Sequence, residues 1–512
     1  MSQKGKKAVD ILFSLGFMAI ITIPLLCMNT EEYAESQLEN RALTGWPGWG
    51  FDKKFNEWYL HYAEDRIGFR EEAIGVFTKA VHSLFHEFAE ELHMYGKEDY
   101  VFPADEGYVK SYQHLNTDEE LIDSLVSYLE NTNEYLKEKN IPFVFMICPD
   151  KKSIYGEYFP DFIHVNEKQE STLELLEGKL DKAEVPYVIP VGEFKEAAKT
   201  VQIYNRKYDS AHWNDFGAFY GLQLVGEKFR EQGSAAPVIS QKDYVLSFEE
   251  MKTMEFIDIP INEQVPFFTL ANKPELKTNQ KLEGALERVE GTSIQHYKNS
   301  KAKSEETILI FHDSFLQSNK KFFVNTYKEV YMVSRQNYEG IQYYVNVLKP
   351  DIVLYENAER AFADDLYAYT RLMDIQYEKP YKAAMADMSG GQPIVENGKG
   401  KEKEKESLHL SVEAVEGGSL QDGILYFDKN SGILEINGEL EGANQQDYLI
   451  YVKYRDEYYE AGYGGFAGKK KVSAAFRSNR LKKGTMEFIA VSKETGEEIS
   501  LLSLKVRKKD LS

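Results

Sequence analysis

Ile308-Leu-Ile-Phe-His-Asp-Ser-Phe315 decides the fold. Its apolar run, read as a strand over Thr307–Phe311, has no polar alternation and so predicts a strand buried on both faces. It ends by delivering a serine. Working outward, similar strands are predicted at Phe143–Ile147, Tyr187–Val191, Glu329–Val333 and Asp351–Leu354. Helices are predicted between them. Thr117-Asp-Glu-Glu120 reads as a capping box opening a helix with Leu121, Leu125, Leu129 and Leu136 on one side. Asn140 and Pro142 stop it. Further helices are expected from about Lys168 to Ala183, from the His212 segment to about Phe229, and between the last two strands. Apolar strands alternating with helices give an α/β fold, a mostly parallel sheet with flanking helices on both faces. Residues 233 to 300 read as irregular, an insertion over one edge.

A second stretch, Tyr208-Asp-Ser-Ala-His-Trp-Asn-Asp-Phe-Gly217, supplies an imidazole and a carboxylate three residues apart. On one helical turn or in a tight loop, Asp209 and His212 project to the same side. With Ser314 they are the groups a serine nucleophile needs: a hydroxyl that attacks, a base that takes its proton, and an acid that fixes the base. The plainer reading is a capping Asp209 beside a packed His212 and Trp213. Asp313 is read as a hydrogen-bond acceptor for its own loop rather than as the acid. No second histidine lies at ligand spacing from His212, so no metal or other cofactor is expected.

In an open α/β sheet, ligands bind beyond the carboxyl ends of the strands. Ser314, Lys151, Arg335 and Asn357 each follow a predicted strand and fall at that edge. Solvated side chains at Lys151 and Arg335, and a helix cap at Asn357, are the bland alternatives.

The 512 residues allow two or three domains, and the net charge of −22 argues against nucleic acid as a partner. Of the two cysteines, Cys27 lies in the apolar N-terminal run and Cys148 ends a strand, so no disulfide framework is expected. Cys148 reads as a small buried hydrophobe. Leu26 before Cys27 does not suit a lipoprotein processing site.

Lys4, Lys6 and Lys7 precede the uncharged stretch Ile11–Met28. As a helix this spans about 27 Å, enough to cross a bilayer core. No small-residue cleavage pattern follows, which favours an uncleaved single anchor over a signal peptide. Basic residues before it and acidic ones after it place residues 30 onward outside the cytoplasm. At the other end, Ser389–Glu406 passes from small residues to alternating Lys and Glu and reads as a flexible linker. Beyond it, short alternating runs such as Leu408–Val412, Tyr448–Tyr454 and Met486–Val491 predict a C-terminal all-β sandwich. Its Tyr454, Tyr458, Tyr459 and Tyr463 suit a carbohydrate-binding face or a docking module equally. The expected division is a cytoplasmic stub and transmembrane anchor (1–29), an α/β domain (30–385), a linker (386–406) and the β-sandwich (407–512).

At these motifs the chain resembles the extracytoplasmic SGNH-hydrolase-like proteins of the alginate O-acetyltransferase family, also called DHHW proteins. The resemblance covers roughly residues 39 to 362. It is carried by the ordered series Glu39-Asn-Arg41, Asp65–Arg70, Gly96–Phe102, Pro149–Tyr155, His212-Trp-Asn with Gly217, His312-Asp-Ser-Phe315, and Lys349–Val353 leading to Glu359-Arg360. It implies an SGNH-hydrolase-like catalytic domain with Ser314, His212 and Asp209 as the triad. Two departures stand out. The family's commonest spacing is Asp-x-His where this chain has Asp-x-x-His, and His312 replaces the glycine that usually precedes Asp-Ser.

The activity so implied is transfer of an acetyl group, through an acyl-serine at Ser314, onto a secreted or cell-surface polysaccharide. The oxyanion would be held by the backbone N–H of Ser314 or Phe315, with Asn357, and sugar binding would draw on Arg335, Lys151, Trp213 and nearby tyrosines. A polytopic membrane acyltransferase would supply the acetyl group. Two other readings stay open: a carbohydrate esterase with the same triad, and a non-catalytic polysaccharide-binding scaffold.

Overall fold

The computed structural model describes residues 3–509 apart from 32–33, 37–40, 47, 49–52, 256, 258, 290, 363–371, 373–374, 376, 391–407, 443 and 464–469. At its centre is a seven-stranded sheet in the spatial order Tyr187–Val188, Phe143–Cys148, Ile352–Ala358, Ser304–His312, Tyr327–Ser334, Ile294–Asn299, Leu276–Lys277. The first five strands run parallel and the last two antiparallel. Alternation along each strand feeds two cores. Leu309 and Phe311 face one layer with the helix Glu119–Glu138, while Ile308 and Ile310 face the other with the helix Asp215–Glu231. All four are fully buried. At about 1.5–3 kcal/mol for each side chain removed from water, such two-faced strands dominate the stability of the domain.

Several boundaries differ from the sequence reading for identifiable reasons. The helix expected from Thr117 starts at Glu119, because Asp118 caps it by accepting from Leu121 N. A capping box does form in the next long helix, Thr172–Ala183, where Ser171 and Glu174 satisfy each other's backbone N–H. The stretch 233 to 300 is not irregular. It contains a long hairpin, Tyr244–Thr253 with Pro260–Leu270, and the two antiparallel strands that extend the main sheet. Most side chains of the first hairpin strand are exposed, so no apolar run announces it.

The N-terminal helix forms over Gln3–Leu26, with Leu12, Phe13, Ile20 and Leu26 exposed. Among the described residues no helix is long and apolar enough to cross a membrane, so the structure leaves the expected anchor without support. The expected linker lies outside the described residues from 391 onward; Ser389 and Gly390 end the helix Tyr381–Gly390.

The C-terminal region is a β-sandwich. A four-stranded sheet (His409–Glu416, Ile433–Glu441, Lys470–Arg477, Gly462–Tyr463) packs on a six-stranded one through a shared apolar core. This sandwich is docked on the α/β domain. Ile433 and Ala475 enter the α/β core. Arg477 reaches Glu329 at 2.8 Å, where His296 and Tyr331 also bond the carboxylate, and Arg288 pairs with Glu435 at 2.7 Å. Burial would raise the Glu329 pKa, but these donors outweigh it and hold the carboxyl well below the usual range. Removing one partner of such a pair strands a buried charge. Arg477→Ala is therefore expected to lower unfolding stability by roughly 3 kcal/mol or more, read from urea unfolding midpoints, whereas Lys471→Ala on the exposed face should leave the midpoint nearly where it was.

Candidate active site

Ser314 follows the central strand Ser304–His312 and opens a short helix, Ser314–Gln317. Asp313 caps that helix, its Oδ1 accepting from Phe315 N at 2.9 Å. Its Oδ2 accepts from Ala358 N at 2.7 Å and from Arg335 Nη1 at 3.2 Å. The serine is thus pinned between the ends of two neighbouring parallel strands, with its own side chain exposed.

His212 arrives from the loop before the helix Asp215–Glu231. Its Nε2 lies 2.9 Å from Ser314 Oγ, and its Nδ1 lies 3.0 Å from Asp209 Oδ2. A carboxylate only accepts, so Nδ1 carries the proton and Nε2 is left bare to accept the serine O–H. The other oxygen of Asp209 accepts the backbone N–H groups of Ala211 and His212 at 2.8 and 2.9 Å. Asp209 therefore caps its own turn, as the plainer reading has it, and holds the imidazole as well. The Asp-x-x-His spacing suits both tasks. Burial would lower the His212 pKa, but the Asp209 carboxylate outweighs it and raises it above 6.5. Burial likewise pushes Asp209 up, and His212 with the two N–H groups overcomes that and holds it well below the usual range.

The other expected site residues are placed differently. Trp213 is buried, donating from Nε1 to Phe315 O at 3.0 Å and packing edge-on against Phe315 at 5.4 Å. It packs behind Phe315, whose ring meets the His212 imidazole edge-on at 5.0 Å, rather than offering a sugar-stacking surface. Lys151 is fully buried, with Nζ donating to the carbonyls of Val101, Arg206 and Asp209 at 2.7, 3.0 and 3.4 Å. Burial pulls its pKa down to about 7, and it braces the Asp209–His212 loop from behind instead of meeting solvent. Phe315 N–H is taken by Asp313, while the N–H of Ser314, the first residue of its helix, has no intrahelical partner. Asn357 alternates with Val353 and Tyr355 onto the sheet face opposite the Trp213–Phe315 layer. It is fully buried, and among the described residues its amide finds no hydrogen-bond partner; no hydrogen bond joins it to Ser314. Arg335 turns onto Asp313. His312, at the glycine position, is buried, its Nδ1 2.8 Å from Asp313 O.

Residues given no role from sequence complete the surroundings. Arg360 spans Asp150 Oδ1 and Ala211 O, both at 2.9 Å from it, and its guanidinium lies 5.1 Å over the Phe315 ring. Like Arg335, it follows the end of a buried strand, and that position was the available signal. Glu356 is fully buried beneath Asp313, its Oε2 accepting from Asp313 N at 3.0 Å, and burial, then the neighbouring Asp313, raises its pKa well above the usual range. Both cysteines are free, with Cys148 buried beside Glu356.

Residues 94–255 match the model of the SGNH hydrolase-like domain, acetyltransferase AlgX. That stretch contains Asp209 and His212 and ends before Ser314. No curated protein matches the sequence. Among solved structures, Bacillus cereus PatB1 is 16% identical, with 55% of this chain and 100% of that chain covered at a TM-score of 0.42. The O-acetyltransferase domain of Pseudomonas putida AlgJ is 13% identical over 55% of this chain and 98% of that one, with a TM-score of 0.37. Pseudomonas aeruginosa AlgX is 12% identical over 81% and 90%, with a TM-score of 0.31.

The geometry makes one spectroscopic prediction. In the native protein the His212 imidazole should titrate above 6.5 by NMR. In Asp209→Asn the burial remains while the opposing charge is gone, so the titration should move below 6.5. Motif series and family match together make residues 94–255 similar to the SGNH hydrolase-like domain of the acetyltransferase AlgX.

Proposed function

We propose that the chain is an O-acetyltransferase that moves an acetyl group, through an acyl-serine at Ser314, onto a hydroxyl of a secreted or cell-surface polysaccharide. The observation that carries this reading is the unbroken hydrogen-bond line from Ser314 Oγ to His212 Nε2 and from His212 Nδ1 to Asp209 Oδ2. In that line the imidazole takes the serine proton as Oγ attacks the acetyl carbonyl. Asp209 stabilises the imidazolium, which then protonates the leaving group. The oxyanion falls to the Ser314 N–H. A sugar hydroxyl then attacks the acyl-serine, passing its proton to His212, and the ester bond to Ser314 breaks to return the free hydroxyl.

The exposure of Ser314 suits a polymeric acceptor, which cannot enter a closed cavity. That same exposure admits water, so an esterase of carbohydrate acetyl groups is the second reading. The extracytoplasmic, membrane-anchored placement rests on the uncharged Ile11–Met28 stretch behind Lys4, Lys6 and Lys7. From that side of a membrane, cytosolic acetyl donors are out of reach. A polytopic membrane acyltransferase is the partner such a placement calls for.

The test is a soluble fragment starting after Met28, given a chromogenic acetyl ester with and without oligosaccharide. Acetylated oligosaccharide, lost by a factor of roughly a thousand or more in Ser314→Ala, is the expected result. Hydrolysis alone selects the esterase, and activity unchanged in Ser314→Ala removes the acyl-serine.

A further inference from the structure

The hairpin Tyr244–Thr253/Pro260–Leu270 and its tip do more than cover an edge. Glu263 on its second strand gathers three successive backbone N–H groups of the loop that leads to the catalytic acid. They belong to Arg206, to Lys207 at 2.8 Å and to Tyr208 at 2.7 Å. Three converging N–H donors on one carboxylate fix the path of that loop, since each charge-assisted bond is short and directional. At the tip, Glu255 N donates to Tyr208 O at 2.8 Å, which sets the Glu255 carboxyl against that of Asp209, the next residue along the loop. Two carboxyl groups can share a hydrogen bond only if one keeps its proton.

We infer that Glu255 and Glu263 are positioning residues for the Asp209–His212 pair: Glu263 sets the loop, and Glu255, as a neutral acid, donates a proton in a hydrogen bond to Asp209. This rests on the proposed catalytic roles of Asp209 and His212. Burial, then the charge on Asp209, pushes the Glu255 carboxyl up to about 7, while His212 opposes the rise. The groups facing it are Asp209, His212 and the Tyr208 phenol. The charges of Lys151 and Arg360 also act on Asp209. When Glu255 loses its proton near neutrality, the hydrogen bond to Asp209 is replaced by repulsion between two carboxylates. The loop should then hold the imidazole less well, and the new negative charge should raise the His212 pKa. Titrations linked this closely report the group as a whole rather than separate residues.

Glu255→Gln tests this, because the amide keeps the donated hydrogen bond and cannot ionise. By NMR, His212 in the native protein should titrate in two steps, the second reflecting Glu255; in Glu255→Gln it should titrate in one step at lower pH. Turnover should match at pH 6; above pH 7, kcat should fall in the native protein and hold in the variant, with KM unmoved. Superimposable NMR curves overturn the inference. A changed His212 titration with no effect of Ser314→Ala on turnover instead overturns the catalytic reading and leaves the carboxyl pair standing. For Glu263, hydrogen exchange at the Lys207 and Tyr208 amides should quicken at least tenfold in Glu263→Ala, while exchange in the strand Ser304–His312 stays unchanged. Exchange unchanged at those two amides removes Glu263 from the clamp.

Discussion

Everything at this site depends on the hydrogen bond between His212 and Asp209. Without it the imidazole has no reason to present a bare Nε2 to Ser314, and burial alone would leave it a weaker base. The interaction is local in sequence but not in origin. Asp209 is aimed because its turn is closed by its own Oδ1, because Lys151 holds the carbonyls behind it, and because the inserted hairpin fixes the residues before it. A carboxylate placed this way is costly to bury unpaired, so the pairing and the loop geometry reinforce each other.

The serine side is built by a different device. The parallel sheet ends its central strand at His312, and Asp313 ties the start of the next helix to the neighbouring strand end at Ala358. Ser314 is therefore positioned by rigid strands, whereas His212 is positioned by a braced loop. The two meet at 2.9 Å because Trp213, packed on Phe315 and bonded to its carbonyl, locks the residue after the histidine to the residue after the serine. That pair of adjacent contacts is what makes the distance reproducible.

The sheet, its flanking helices and the C-terminal sandwich were legible because buried strands leave an apolar signature whatever surrounds them. Ser314 and His212 were legible because strand ends and the His-Trp motif mark them. Lys151 and Asn357 misled for one common reason. Sequence places a residue at the sheet edge but does not say which face it takes or whether it turns inward, and both turn inward. Glu263 left no trace at all, since its partners are backbone N–H groups 55 to 57 residues away, which no side chain announces. The hairpin that carries it was missed because its first strand is largely exposed and lacks a core-facing run.

The central claim is that Ser314 becomes a nucleophile through His212. Its most direct measurement is rapid-quench peptide mass spectrometry after mixing the protein with a chromogenic acetyl ester in the absence of sugar acceptor. The account predicts an acetyl group on the peptide containing Ser314, appearing before steady-state release and absent in His212→Ala. Acetylation at another residue, or at Ser314 to the same extent without the imidazole, would contradict it.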